Sequence, residues 1–382
     1  MKMKKMLSLF VASCAVFAAS AGGVDVKLLD SLLRVKSQPC DKPNLAKAID
    51  TLKTWLEARG VFCAVETNEC GMAALYAATT PGKTHDYLFV SHVDVVVADD
   101  SMFTPRYDGD WVHARGACDT KGNVVVMAQV LANLVGKASI GMMIATDEEG
   151  GRMGTPTPKM MLDRGYVPRK MVLVGDTAGE APGQLFVAEK GHARIRLVAH
   201  GKGGHSSRPW ALDNPIPKLC AGYLKFAAAW EAQNAVTGTW RTVVSPTMLK
   251  GSDGGNVIPD DAVMHLSCRF VTMDDYRRLC ECARRTSGCE LVAPEMPHRP
   301  PVVNREDDPE IVALFSSMKS EIPGFRIGRM SAATDATFYV GLGLPIVIFT
   351  AEAYEPHSPN ERGSISSLHQ YADVLTRYFS SK

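Results

Sequence analysis

His92, Asp119, Glu149, Asp176 and His357 put two imidazoles and three carboxylates into one chain, each at the end of an apolar run or in a loop. His92 stands in Ser91-His92-Val93-Asp94, directly after the run ending at Val90. Alternation in an extended chain sends His92 and Asp94 to one side. Asp94 can then accept the second ring N–H and fix the tautomer of a ligating imidazole. Asp119 lies among small residues in Gly116-Ala117-Cys118-Asp119-Thr120-Lys121-Gly122, just before a helical pattern. Thr146-Asp147-Glu148-Glu149-Gly150-Gly151 places three consecutive carboxylates after an apolar run. Their mutual repulsion is relieved by a cation. Asp176 follows another apolar run, and His357 sits in Glu355-Pro356-His357-Ser358-Pro359-Asn360-Glu361. Singly, each motif has an ordinary use: a His–Asp hydrogen bond, a helix N-cap, a solvated turn, a loop histidine. Together the five side chains suit two divalent cations, each with one His and one terminal carboxylate, and Asp119 shared between them. Such N/O ligation fits zinc, and also cobalt or manganese. Two cations roughly 3.5–4 Å apart can activate one water and hold a tetrahedral oxyanion. Glu148 is then available as general base.

The elements that must position these residues alternate between strand and helix. Leu45, Ile49, Leu52, Trp55 and Leu56 recur at helical spacing, and Arg59-Gly60 ends that helix. Residues 87–90, 140–145 and 171–174 read as buried strands, and 124–135 as a helix. This alternation predicts an α/β fold: a mixed, mostly parallel sheet flanked by helices. Ligands of such sheets bind outside the carboxyl ends of the strands, where the five residues fall. The pattern changes after Gly191. A half-buried strand (Ile195, Leu197, Ala199) precedes a helix at 216–230, strands at 242–249 and 262–270, a helix capped by Thr272 with Asp275, and a closing strand at Leu291-Val292. The order β-α-β-β-α-β is that of a ferredoxin-like α+β unit. The expected organisation is a catalytic domain in two parts, 22–191 and 296–382, with an inserted domain over 192–295.

Residues 1–21 read differently. Lys2, Lys4 and Lys5 precede an apolar run to about Ala19, and Ala19-Ser20-Ala21 offers a cleavage site. That is the pattern of a secretory signal peptide, so export to a periplasm or the exterior is expected. Val11-Ala12-Ser13-Cys14 faintly resembles a lipoprotein box, but the apolar run continues past Cys14. No later stretch is long and apolar enough to span a membrane. The net charge of +1, and the lack of a basic stripe, give no electrostatic case for nucleic acid. Of ten cysteines, Cys14 falls in the leader, leaving an odd number. Without a Cys-x-x-Cys pair a thiolate zinc site is not expected. Cys280, Cys282 and Cys289 cluster, which export would allow to pair or burial would leave as free thiols.

The ordered motifs, His-x-Asp, Gly-Ala-x-Asp-x-Lys-Gly, Glu-Glu-Gly, Asp and a late His, resemble the co-catalytic metallopeptidases. That family includes glutamate carboxypeptidase, aminoacylase, succinyl-diaminopimelate desuccinylase and acetylornithine deacetylase, and the likeness spans nearly all of the mature chain. It implies a zinc-exopeptidase-like catalytic fold, with His92 and Asp176 on one metal, Glu149 and His357 on the other, and Asp119 bridging. It also implies Asp94 as support for His92, Glu148 as base, and a cis peptide after Asp119. In Gly203-Gly204-His205-Ser206-Ser207, His205 resembles the histidine that reaches into a partner subunit's site and stabilises the oxyanion. A homodimer is therefore implied. Asn256 resembles a substrate-contacting Asn, and Arg269 the Arg that grips the substrate carboxylate. Thr334-Asp335 resembles a further substrate-side motif. Cys118 beside Asp119 departs from many relatives and puts a thiol near the expected metals. Asp176, where several deacylases carry Glu, leans toward peptidase.

The function expected is hydrolysis of an amide bond beside a free carboxylate, by an exopeptidase of carboxypeptidase or dipeptidase type. A rival on the same site is an N-acyl-amino-acid deacylase. A rival of another class is a non-catalytic peptide- or metal-binding protein, against which stands the presence of every expected ligand and of the base.

Overall fold

The computed structural model describes residues 23–177, 179, 182–234 and 238–382. The leader read over residues 1–21, with Cys14, lies outside the described residues.

Four neighbouring strands make the middle of the large sheet: Ile140–Ala145, Thr84–His92, Val167–Gly175 and Ile346–Phe349, all parallel. Their side chains are almost entirely buried, because helical layers cover both faces. That double burial is why they read as continuous apolar runs rather than as alternation. Antiparallel strands Ala73–Ala78 and Phe62–Thr67 extend one edge. Gln184–Glu189, flanked by Arg326–Met330 and Val302–Val303, closes the other.

On one face the helices Val26–Leu33, Lys42–Glu57, Lys121–Asn133, Pro309–Glu321 and Ile365–Ser380 bury a large apolar cluster. Lys121–Asn133 is buried nearly all round, so its sequence shows a weak stripe. The other face is covered by the short helix Thr157–Asp163 and the 3₁₀ segment Asp335–Leu342.

The inserted unit has its own sheet, in the order Val243–Lys250, Asp261–Phe270, Gly191–His200, Glu290–Val292, all antiparallel. Alternation along Gly191–His200 and Asp261–Phe270 sends one face into a core under the helices Pro215–Gln233 and Met273–Thr286. The chain order is the ferredoxin-like one. Thr272 accepts the Asp275 N–H, the cap read from the sequence. All nine described cysteines are free thiols, and Cys280 and Cys282 pack in this core.

Several elements lie beyond the sequence reading, among them the edge strands Phe62–Thr67, Ala73–Ala78 and Gln184–Glu189 and one further small sheet. Arg106–Asp108, Trp111–His113, Arg362–Ser364 and Ala353–Tyr354 form a second small antiparallel sheet. Strands of two or three residues are too short for a period-2 pattern to register. This sheet ties down the loop that carries His357 and Glu361.

Candidate metal centre

The carboxyl ends of the four parallel strands open on one edge. Thr84–His92 ends on His92, Ile140–Ala145 runs into Asp147-Glu148-Glu149, Val167–Gly175 into Asp176, and Ile346–Phe349 into the loop bearing His357. Asp119 comes from the loop before Lys121–Asn133, and its peptide bond to Thr120 is cis. Two groups of potential metal ligands result: His92, Asp119 and Asp176, and Asp119, Glu149 and His357. His92 Nε2 stands 3.2 Å from Asp119 Oδ1 and 3.6 Å from Asp176 Oδ1. His357 Nε2 stands 3.2 Å from Asp119 Oδ2 and 3.0 Å from Glu149 Oε1. Each Asp119 oxygen thus serves one group.

The hydrogen bonds define what these groups want. His92 Nδ1 lies 2.9 Å from the main-chain carbonyl of Asp94, which can only accept, so Nδ1 carries a hydrogen. In the neutral ring Nε2 then aims a lone pair at two buried carboxylates, and Asp119 Oδ1 is buried without a hydrogen-bond donor. Lone pair against carboxylate is repulsive unless a cation lies between them. The residues therefore fit divalent metal ions on chemical grounds. Without metal, protons take that place. Burial alone would lower His92, but Asp119, Asp176 and Asp94 hold it well above the usual histidine range. Asp119 and Glu149 raise His357 to about 10. Burial pushes Glu149 and Asp176 up, with Asp119 adding to both.

Contacts around the ligands fix their orientation. The Asp94 carboxylate lies 3.4 Å from His92 Nδ1, farther than its own carbonyl. Its oxygens instead accept the N–H groups of Glu148 (3.3 Å) and Glu149 (2.9 Å). Glu361, which carried no role in the sequence reading, is wholly buried. One oxygen accepts the N–H groups of Gly116, Cys118 and Asp119, and the other pairs with Arg115. It shapes the loop that presents Asp119. Lys121 Nζ donates to the carbonyls of Leu32 and Val35, anchoring that loop to the first helix. Burial raises the Cys118 thiol far above the usual range, so it is a packed, protonated group.

The three consecutive carboxylates separate. Asp147 caps the helix Thr157–Asp163, accepting from the N–H and hydroxyl of Thr157. Glu149 joins Asp119 and His357 in the second group of potential ligands. Glu148 lies between them, largely buried, with Arg299 Nη1 at 2.8 Å.

The substrate-side residues are more scattered. Arg269 is half-buried, directly opposite His192 in the inserted sheet. Burial, with Arg299 and Arg194 nearby, lowers its pKa. No ion pair to Arg269 occurs among the described residues. Thr334 donates from its N–H and hydroxyl to buried Glu189, at 2.9 and 2.6 Å. Asp335 pairs with Arg152 at 2.9 Å. His205 and Asn256 lie exposed on the inserted unit, where the Ser206 N–H donates to Asn256 O, and their described contacts are local. The geometry thus gathers His92, Asp119, Glu148, Glu149, Asp176 and His357 with Asp94, and leaves His205 and Asn256 outside those contacts.

Residues 88–381 match the family model described as peptidase family M20/M25/M40. The chain belongs to this family. Among curated proteins it is 29% identical over 367 residues to a succinyl-diaminopimelate desuccinylase of Rhizorhabdus wittichii, covering 91% of this chain and 95% of that one. Among solved structures, the aminopeptidase PepT from Bacillus cereus superposes with a TM-score of 0.72 at 18% identity, covering 94% of this chain and 98% of the other. An M20 family metallo-carboxypeptidase from Sulfolobus solfataricus gives 0.71 at 16%, covering 93% and 98%. Human carnosine dipeptidase 1 gives 0.67 at 15%, covering 93% and 94%. M20 membership makes the protein a metallohydrolase of peptide or acyl-amide bonds, and the solved structures show the fold.

Proposed function

We propose that this M20 chain is an exported, dinuclear zinc exopeptidase of carboxypeptidase or dipeptidase type, cleaving an amide bond next to a free carboxylate. One observation carries the reading: two imidazole–carboxylate groups share Asp119, and Glu148 stands beside Glu149 without belonging to either group. His92 and Asp176 would hold one ion, Glu149 and His357 the other, and Asp119 both. Divalent ions bound there supply Lewis acidity and make water acidic enough to deprotonate near neutral pH. Glu148 takes the proton of the attacking water and returns it to the leaving amine. Arg269, a half-buried guanidinium with no described carboxylate partner, suits the free carboxylate of the substrate. Asn256, Thr334 and Asp335 are assigned to the substrate side by motif. Thr334 is held by Glu189 and Asp335 by Arg152.

The N-acyl-amino-acid deacylase reading is favoured by the desuccinylase relatives at 29% identity. It uses the same site and differs only on the acyl side. A panel of dipeptides, C-terminally varied peptides, and N-acetyl and N-succinyl amino acids separates the two. It is run on purified protein after chelation and after zinc, cobalt or manganese is restored. Metal-restored peptide cleavage is the expected result. Preferential acyl release selects the deacylase, and full activity in metal-free protein overturns the mechanism.

His205 lies exposed, away from the metal cluster's described contacts, which is where a group meant for a second subunit's site would be. A homodimer is proposed on that basis, and sedimentation of a fully active monomer refutes it. Export rests on the basic start and apolar run of residues 1–21. It is checked by fractionating cells and sequencing the mature N-terminus. Among the described residues no helix is long and apolar enough to cross a membrane.

A further inference from the structure

Arg299 belongs to the stretch Pro294–Pro301 that returns the chain from the inserted unit to the main sheet. It is nearly buried and held at both ends. Its main-chain carbonyl accepts the N–H of His192 at 2.8 Å, in an antiparallel bridge to the first strand of the inserted sheet. Its side chain reaches the catalytic body, where one nitrogen, Nη1, donates to Ala333 O at 2.9 Å and faces Glu148 Oε1 at 2.8 Å. A guanidinium nitrogen of this kind carries two hydrogens. Ala333 takes one and thereby aims the other at Glu148. Among the described residues the ion pair of Glu148 is with Arg299 alone, while Arg152 is paired with Asp335.

We propose that Arg299 is a positioning residue for Glu148: a guanidinium mounted on the connection between the two units sets where the general base stands. The inference rests on Glu148 acting as the base. The Glu148 side chain has three rotatable torsions, and its main-chain N–H bond to Asp94 fixes only the backbone. Because both the Arg299 carbonyl and its guanidinium are engaged, the seat of the inserted unit and the position of the base are joined through one residue. Nearby carboxylates strengthen the hold. Burial would lower the Arg299 pKa, but Glu148, Asp335 and Glu189 raise it beyond the ordinary arginine range, so the charge is permanent.

The test uses the full-length metal-loaded enzyme with R299Q and R299K, and a crystal structure of each. A base displaced by about 1 Å costs on the order of 100-fold, so R299Q is expected to lose about that factor in kcat, with KM within about threefold. R299K keeps a charge but cannot donate to Ala333 and Glu148 from one fixed plane, and should recover about tenfold of the loss. In the R299Q crystal the Glu148 carboxylate should have left its present place. That readout needs no turnover, so it stands even where the wild-type enzyme cleaves nothing on the panel, the outcome that would instead sink the functional reading. Wild-type kcat in R299Q, or an unmoved Glu148, overturns the proposal. So does a rise in KM alone, which would make Arg299 a substrate ligand. Should R299Q fail to fold, the R299K crystal and its kcat decide by the same criteria.

Discussion

His92 and His357 offer the same atom, Nε2, to the same carboxylate, each 3.2 Å from an oxygen of Asp119. Yet the His92 side chain is 2% exposed and that of His357 is 51%. The difference comes from their supports. His92 closes a central strand, its ring tied to the Asp94 carbonyl within the same extended segment. His357 stands on a loop, at φ +62°, in the left-handed region that few side chains adopt. That loop is held by the small sheet of two- and three-residue strands rather than by the main one. The inner pocket is therefore part of the fold, and the outer one is assembled upon it. A site with more solvent contact and a looser ligand exchanges its ion more readily, so the two pockets should differ in affinity and share their fate only through Asp119.

The largest effect should come from removing what they share. Asp119→Ala takes one oxygen from each pocket, and both ions should be lost, with hydrolysis falling below detection while the fold persists. Elemental analysis of the purified variant checks this. One ion retained at full occupancy would show that the pockets do not depend on the bridge. The comparison is sharpened by removing one imidazole at a time. In His357→Ala the outer affinity should fall by more than the 10–100-fold typical of supporting contacts, leaving one ion per chain. In His92→Ala the inner pocket should empty. Chelator titration of the unmodified enzyme should then show two steps, the first matching the ion absent from His357→Ala. Release of both ions in a single step would end the distinction.

The same contrast explains what the sequence disclosed. Four of the five candidate ligands follow apolar runs because double burial makes the central strands conspicuous, and an α/β sheet delivers its functional residues at their carboxyl ends. The ferredoxin-like unit was legible because one exposed sheet face leaves a clean alternation along Gly191–His200. Glu361 and Arg299 were not legible. Both are charged residues in short or irregular segments, and their roles depend on partners far away in the chain: the amides of Gly116, Cys118 and Asp119 for Glu361, and Glu148 for Arg299. A charge in a loop reads as solvated until a partner is seen to bury it. The glutamate in the motif around His357 was a usable hint, since a carboxylate so close to a ligand seldom lies idle. For Arg299 the only sign was its place in the Pro-rich return linker, Pro297-His298-Arg299-Pro300.

Asp94 offers the smallest and finest test. The resemblance gives its carboxylate the task of orienting His92, whereas the structure gives the ring N–H to the main-chain carbonyl and the carboxylate to the amides of Glu148 and Glu149. Asp94→Asn leaves the carbonyl untouched and keeps one side-chain acceptor for two amides. The inner ion should stay bound, because His92 keeps its tautomer. The turn carrying Glu148 and Glu149 should loosen, lowering kcat/KM by about tenfold, the lower end for a supporting contact. The outer ion should weaken more than the inner one, since Glu149 belongs to the outer group alone. Loss of the inner ion first would mean that the carboxylate at 3.4 Å, and not the carbonyl at 2.9 Å, governs the imidazole. The inner pocket would then owe its strength to a side chain rather than to the strand that carries it.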